Sequence, residues 1–111
     1  MAYALAMQAL ADPTRREVFE RLRRGPQSVG RLAEGMPVTR PAVSQHLRVL
    51  KNAGLVREER VGTRRVYSVE LNGLAELRRY LDGFWEDVLG AFKAEAESAP
   101  RHRDVRRRRR R

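Results

Sequence analysis

The chain reads as a mostly α-helical domain with one small β-hairpin, and three observations predict that class. Apolar residues recur at helical spacing through most of the chain, while residues 55–69 alone switch to strand-like alternation. Breakers mark the joints: Asp12-Pro13, Gly25-Pro26, Gly35-Met36-Pro37 and Gly54. The result is five helices with a two-stranded antiparallel hairpin between the fourth and the fifth.

The first helix spans about residues 2–11, with Tyr3, Met7 and Leu10 on one side. Asp12 caps the second helix and Pro13 opens it, where a missing N–H costs nothing. That helix runs through TRREVFERLRRG and buries Val18, Phe19 and Leu22. Ser28 caps a short third helix, VGRLAEG, with Val29, Leu32 and Ala33 turned inward. Thr39 caps the fourth, Pro41 lies in its first turn, and Asn52-Ala53-Gly54 closes it. A tight turn thus joins the third and fourth helices, which is helix-turn-helix order.

Leu55 to Arg60 and Arg65 to Val69 form the hairpin strands around Val61-Gly62-Thr63-Arg64. A hairpin placed directly after a helix-turn-helix is a wing, so the predicted architecture is a winged helix-turn-helix. Asn72 caps the last helix, about residues 73–97. Its Leu74, Leu77, Leu81, Phe84, Val88 and Ala91 follow a 3-4-3-4-3 spacing, the seam of helix pairing, and Trp85, Leu89 and Phe92 broaden it. A chain of 111 residues has room for one core, which the earlier helices already close. The surplus predicts a dimer interface built from Tyr3, Met7, Leu10, Leu74, Leu77, Leu81, Phe84, Trp85, Val88 and Phe92. The competing reading, a helix folded back over its own core, would leave an unusually large apolar patch.

Residues 1–97 read as one domain that holds the winged helix-turn-helix and the expected dimer seam. Apolar patterning stops at Ser98, Ala99-Pro100 is a breaker, and residues 98–111 read as a disordered Arg-rich tail. The net charge of +10 divides unevenly. The tail holds eight Arg against Asp104, contributing +7, and residues 39–65 hold seven basic and two acidic residues, contributing +5; the rest is −2. Positive charge concentrates on the fourth helix and the hairpin, the footprint of a polyanion-binding surface.

The fourth helix, TRPAVSQHLRVLKNAG, carries the chemistry. Val43, Leu47 and Leu50 make a narrow apolar stripe, and Ser44, Gln45, Arg48 and Asn52 lie opposite, with no acidic residue in the stretch. Ser44 and Gln45 suit base edges, since Gln can pair bidentately with adenine, and Arg40 or Arg48 can reach guanine or phosphate. Thr39 caps the helix and can touch a phosphate. His46 lies near the edge of the apolar stripe, where packing competes with DNA contact. Arg64 and Arg65 are the wing's candidates. Taken alone, such a helix is equally an ordinary solvated one; its setting between a turn and a basic hairpin favours double-stranded DNA.

The sequence contains no Ser/His/Asp arrangement, no Gly-rich phosphate loop followed by Lys and no carboxylate pair in an evident cleft, so no enzyme is expected. With no Cys there is neither a disulfide framework nor a thiolate metal site. AYALAMQALA is too short to span a membrane and lacks a positive n-region, which points to a cytoplasmic, nucleoid-associated protein without a membrane partner.

Three stretches, ALADPTRREVFERL, VTRPAVSQHLRVLKNAGLV and GTRRVYSV, resemble the ArsR/SmtB family of winged helix-turn-helix repressors. The likeness covers about residues 2–97. Ala42-Val43-Ser44-Gln45-His46-Leu47, followed by Arg48-Val49-Leu50, is its most specific part. Trp85-Glu86-Asp87-Val88-Leu89 looks like a branch without a recognised metal site. The resemblance implies a homodimer, joined through the first and last helices, that binds an inverted repeat near a promoter and blocks transcription. It also implies where family metal sites would lie. The third helix has no Cys and residues 71–97 have no His, so neither type can be built and no cofactor is expected. An effector, small molecule or protein, has no assigned site. Two other readings stay open: a general basic or RNA-associated protein driven by the Arg tail, and a winged-helix protein-interaction module.

Overall fold

The structure is a computed structural model and describes residues 2–98; the Arg-rich end from residue 99 lies outside the described residues. The elements run α1 (Ala2–Ala11), α2 (Pro13–Arg21), β1 (Gln27–Ser28), α3 (Val29–Ala33), α4 (Arg40–Asn52), β2 (Val56–Val61), β3 (Arg64–Val69) and α5 (Leu71–Ser98). This is a winged helix-turn-helix with five helices, as the sequence predicts. The chain divides into two units, Met1–Arg78 and Arg79–Arg111, with the division inside α5.

Side-chain capping sets the helix starts. Asp12 Oδ1 accepts from the Arg15 N–H at 3.0 Å, Ser28 Oγ from Arg31 at 3.3 Å, and Thr39 Oγ1 from Ala42 at 3.2 Å. The Arg15 bond, first among the causes, holds the Asp12 carboxyl below its ordinary pKa. Arg15 Nε and Arg16 Nη1 then reach back, each 2.7 Å from a carbonyl oxygen in the last turn of α1, those of Ala9 and Leu10. Two guanidinium groups thereby satisfy carbonyls that the helix end leaves without partners. They fix the α1–α2 corner.

α2 ends earlier than its sequence suggests, because Leu22–Arg24 tighten into a 3-10 turn before Gly25. The sheet also gains a strand that the sequence does not announce. β1 pairs antiparallel with β3, Gln27 opposite Tyr67 and Ser28 opposite Val66, so the strand order is β1-β3-β2. The wing pairs from Val56 opposite Val69 to Val61 opposite Arg64, leaving Gly62-Thr63 as the turn. Gly62 has φ +66, which suits the first position of a primed hairpin turn.

The core of the first unit gathers Val18, Leu22, Leu32, Val43, Leu47, Leu50, Leu55, Val56 and Tyr67, with Ala6 and Ala9 from α1. All three stripe residues of α4 are fully buried, so that helix can rotate only by breaking the core. α5 begins at Leu71, two residues earlier than expected, and its cap is Glu70 rather than Asn72. Glu70 Oε2 accepts from the Asn72 N–H at 3.2 Å, and the Glu70 carbonyl accepts from Leu74 at 3.3 Å. In the second unit the described residues are one helix whose Leu81, Phe84, Trp85, Val88, Leu89 and Phe92 are exposed.

Candidate nucleic-acid interface

The outward side of α4 is fixed by what its inward side buries. With Val43, Leu47 and Leu50 in the core, Thr39, Arg40, Gln45, Arg48, Lys51 and Asn52 are exposed and Ser44 is half-buried. Gln45 and Arg48 are left to solvent. Thr39 spends its hydroxyl on the cap. Arg40 lies over α3: a Cβ at Gly30 would sit 3.0 Å from its Nη2. The missing side chain at Gly30 lets the guanidinium rest close to the turn of the motif.

His46 is placed apart from these residues. It is half-buried, its Nδ1 is shielded from solvent without a hydrogen-bond partner, and its nearness to Asp12 is the last of the causes that lower that carboxyl's pKa. The imidazole therefore stands toward the α1–α2 corner, on the opposite edge of α4 from Arg40 and Ser44.

The wing is tied to α4 by one carboxylate. Glu58 Oε1 accepts from Lys51 Nζ at 3.1 Å, and Glu58 Oε2 lies 3.1 Å from Arg65 Nη1. The Lys51 hydrogen bond, helped by the nearby positive charges and the Tyr67 hydroxyl, holds the Glu58 carboxyl below its ordinary range. Strand alternation puts Glu58, Arg60, Arg65 and Tyr67 on the wing face whose base is buried. Arg60 and Arg65 are directly opposite one another, a like-charge pairing that the Glu58 carboxylate on Arg65 partly offsets.

Sequence reasoning missed Arg31. It projects from α3 into a shallow concavity that Arg40, Arg64 and Arg65 also line. Arg31 lies 33 residues before Arg64 in sequence, and the β1–β3 pairing brings the two together. Among the described residues no group of three or more His, Cys, Asp or Glu could hold a metal ion. No described helix is long and apolar enough to cross a membrane.

Comparison with known proteins agrees with this geometry. A family model described as a helix-turn-helix domain matches residues 10–59. The HTH-type transcriptional regulator Rv2034 of Mycobacterium tuberculosis is 58% identical over 87 residues, covering 78% of this chain and 81% of that protein. An ArsR-like transcriptional regulator from Rhodococcus sp. RHA1 superimposes with a TM-score of 0.71 at 35% identity, over 86% of this chain and 92% of the other. The chain belongs to the ArsR/SmtB family. It is a DNA-binding transcriptional regulator. A further structural relative of this ArsR/SmtB chain is the homodimeric winged helix-turn-helix DNA-binding domain of Mb0332 from Mycobacterium bovis, with TM-score 0.63 and 27% identity over 79% of this chain and 82% of that one.

Proposed function

We propose that the protein is a homodimeric, metal-independent repressor that reads an inverted-repeat operator. Ser44 and Gln45 contact base edges, Arg40 and Arg48 reach guanine or phosphate, and Arg64 and Arg65 hold the backbone beside the major groove. One observation carries the reading: α4 is locked into the core along one stripe, and the face it turns outward is cationic and amide-bearing, flanked by the wing arginines. A single such helix covers too few base pairs for high specificity. Two of them, about 34 Å apart, fit successive major grooves on one side of the duplex. The unpartnered apolar face of α5 supports the pairing, as does the homodimeric state of the Mycobacterium bovis relative.

The test is a selection from random duplexes followed by titration of the full chain and of a chain lacking residues 101–111. Two equivalent half-sites and an operator preference that survives tail removal are expected. A dimer making about 8 phosphate contacts should show a log–log salt slope near −7. Collapse of all binding on tail removal would establish a general basic protein instead. Equal binding to heparin and to the selected duplex would establish a protein-interaction module.

A further inference from the structure

Beside the face just described lies a second basic surface. The end of α2 and its 3-10 turn, β1, the start of α3 and strand β3 surround an open trough lined by Arg21, Arg23, Arg24, Gln27, Arg31 and Arg64. Glu17 and Glu20 line it as well. Glu17 is engaged by Arg21 at 3.0 Å, and Arg21 Nη1 also donates to the Glu34 carbonyl at 3.2 Å, so Arg21 serves the fold. Arg23, Arg24, Arg31 and Arg64 form no ion pair among the described residues. These four guanidinium groups outnumber Glu20, the lining carboxylate that no ion pair engages among the described residues, so the concavity keeps a net positive charge that an anion offsets.

The trough shares Ser28, Arg31 and Arg64 with the concavity that holds Arg40 and Arg65. It therefore continues the reading face without a break and leads away from α4 along the wing strand β3. Its lining is mostly polar and rich in guanidinium groups, unlike a small-molecule site, which is lined mainly by apolar side chains. From this continuity we infer that the trough receives the phosphate backbone of duplex DNA flanking each half-site, with Arg23 and Arg24 as the residues that extend the footprint outward. The inference rests on the operator-binding reading above and deepens it. Arg64 belongs to both surfaces, so Arg23 and Arg24 are the pair that isolates the trough.

The experiment compares two duplexes carrying the same selected operator, one trimmed to its half-sites and one extended by about a helical turn on each side, roughly ten base pairs. Wild-type protein should bind the extended duplex more tightly by about tenfold, equivalent to roughly 1.4 kcal/mol. The Arg23→Ala/Arg24→Ala double variant should bind the trimmed duplex like wild type and lose that gain. Its salt slope on the extended duplex should be shallower by up to about 4, because each protomer then loses up to two phosphate contacts. Both arginines are exposed, and an unchanged melting temperature confirms that the variant folds. No gain on extension for wild type, or an undiminished gain for the variant, overturns the inference while operator binding stands. Failure of wild type to prefer either operator duplex over random DNA overturns the operator reading itself. Inorganic triphosphate that competes only with wild type, without any flank effect, would assign the trough to a free phosphate compound and overturn the DNA-backbone assignment.

Discussion

Gly73, in the first turn of α5, packs so closely on Gly54, at the end of α4, that a methyl group on Gly73 would overlap the Gly54 carbonyl oxygen. Gly54 itself has φ +80, which turns the chain out of α4. The Leu55 N–H then bonds the Leu50 carbonyl at 3.0 Å, and the Glu70 N–H bonds the Leu55 carbonyl at 2.8 Å. The end of the reading helix, the base of the wing and the start of α5 thus meet at one backbone crossing. Gly73→Ala should push these segments apart and destabilise the protein by about 1–3 kcal/mol, the usual range for overpacking. Gly83→Ala is the control: it lies in the same helix with nothing within 4 Å of the added carbon and should stabilise by up to about 1 kcal/mol. Thermal melts of the two variants should move in opposite directions.

Glu58 makes stability depend on pH with a definite sign. Its carboxyl is held below the ordinary value of 4.5 by Lys51 and Arg65. A group whose folded pKa is lowered contributes fully above its unfolded pKa, and the contribution is lost as pH falls through the folded value. Asp12, lowered from 3.8 by the Arg15 N–H, has the same sign. Melting temperature should therefore be flat at neutral pH and fall below about pH 4.5. Glu58→Gln should cost about 0.5–1 kcal/mol at pH 7, as expected for a surface ion pair whose cationic partners are exposed, and should flatten part of the acid limb. It also releases Lys51 and Arg65, so binding to random DNA should tighten in the same variant.

The reading helix was legible because local rules set both its ends. Thr39, Pro41 and Gly54 mark its limits, and Val43, Leu47 and Leu50 declare its buried stripe. The wing was legible for the same reason, with Gly62 at its turn. What stayed hidden depends on partners distant in sequence. β1 is two residues long and exists only because Tyr67 and Val66 offer it an edge. Asn72 is the better capping residue by chemistry, yet the Gly54–Gly73 crossing and the Glu70–Leu55 bond start α5 earlier. Leu10 and Leu77, assigned by spacing to a dimer seam, pack partly on the chain's own core. Arg31 and the Arg23-Arg24 pair carry no pattern of their own; only the folded sheet brings them beside Arg64.

Base reading and backbone holding should separate by mutation. Gln45 stands exposed on α4, its amide open to a base edge. Gln45→Ala should cost roughly 1–3 kcal/mol on the selected operator and little on random duplex. Equal losses on both would show that Gln45 does not read bases. Arg64→Ala and Arg65→Ala should weaken binding to all sequences alike and make the salt slope shallower. Arg65→Ala should do less harm than Arg64→Ala on random DNA, because Arg65 is already partly neutralised by Glu58.

The proposed symmetry depends on α5. Phe84 and Trp85 are 58% and 60% exposed in the single chain, and Phe92 70%, areas that no isolated helix stabilises by itself. Burying one large apolar side chain contributes about 1.5–3 kcal/mol, and a twofold interface repeats every such burial. Phe84→Glu should therefore raise the dimer dissociation constant roughly a thousandfold or more, since it removes an aromatic ring from each side of the interface and brings two carboxylates together. Sedimentation equilibrium at micromolar concentration should find the variant monomeric and wild type dimeric. The monomer should keep its helical circular dichroism, because Phe84 lies outside the core of the first unit. On the selected operator it should lose most of its affinity while holding a single half-site weakly. A variant that stays dimeric would place the interface elsewhere. Wild type that is monomeric at that concentration would remove the twofold geometry on which inverted-repeat recognition depends.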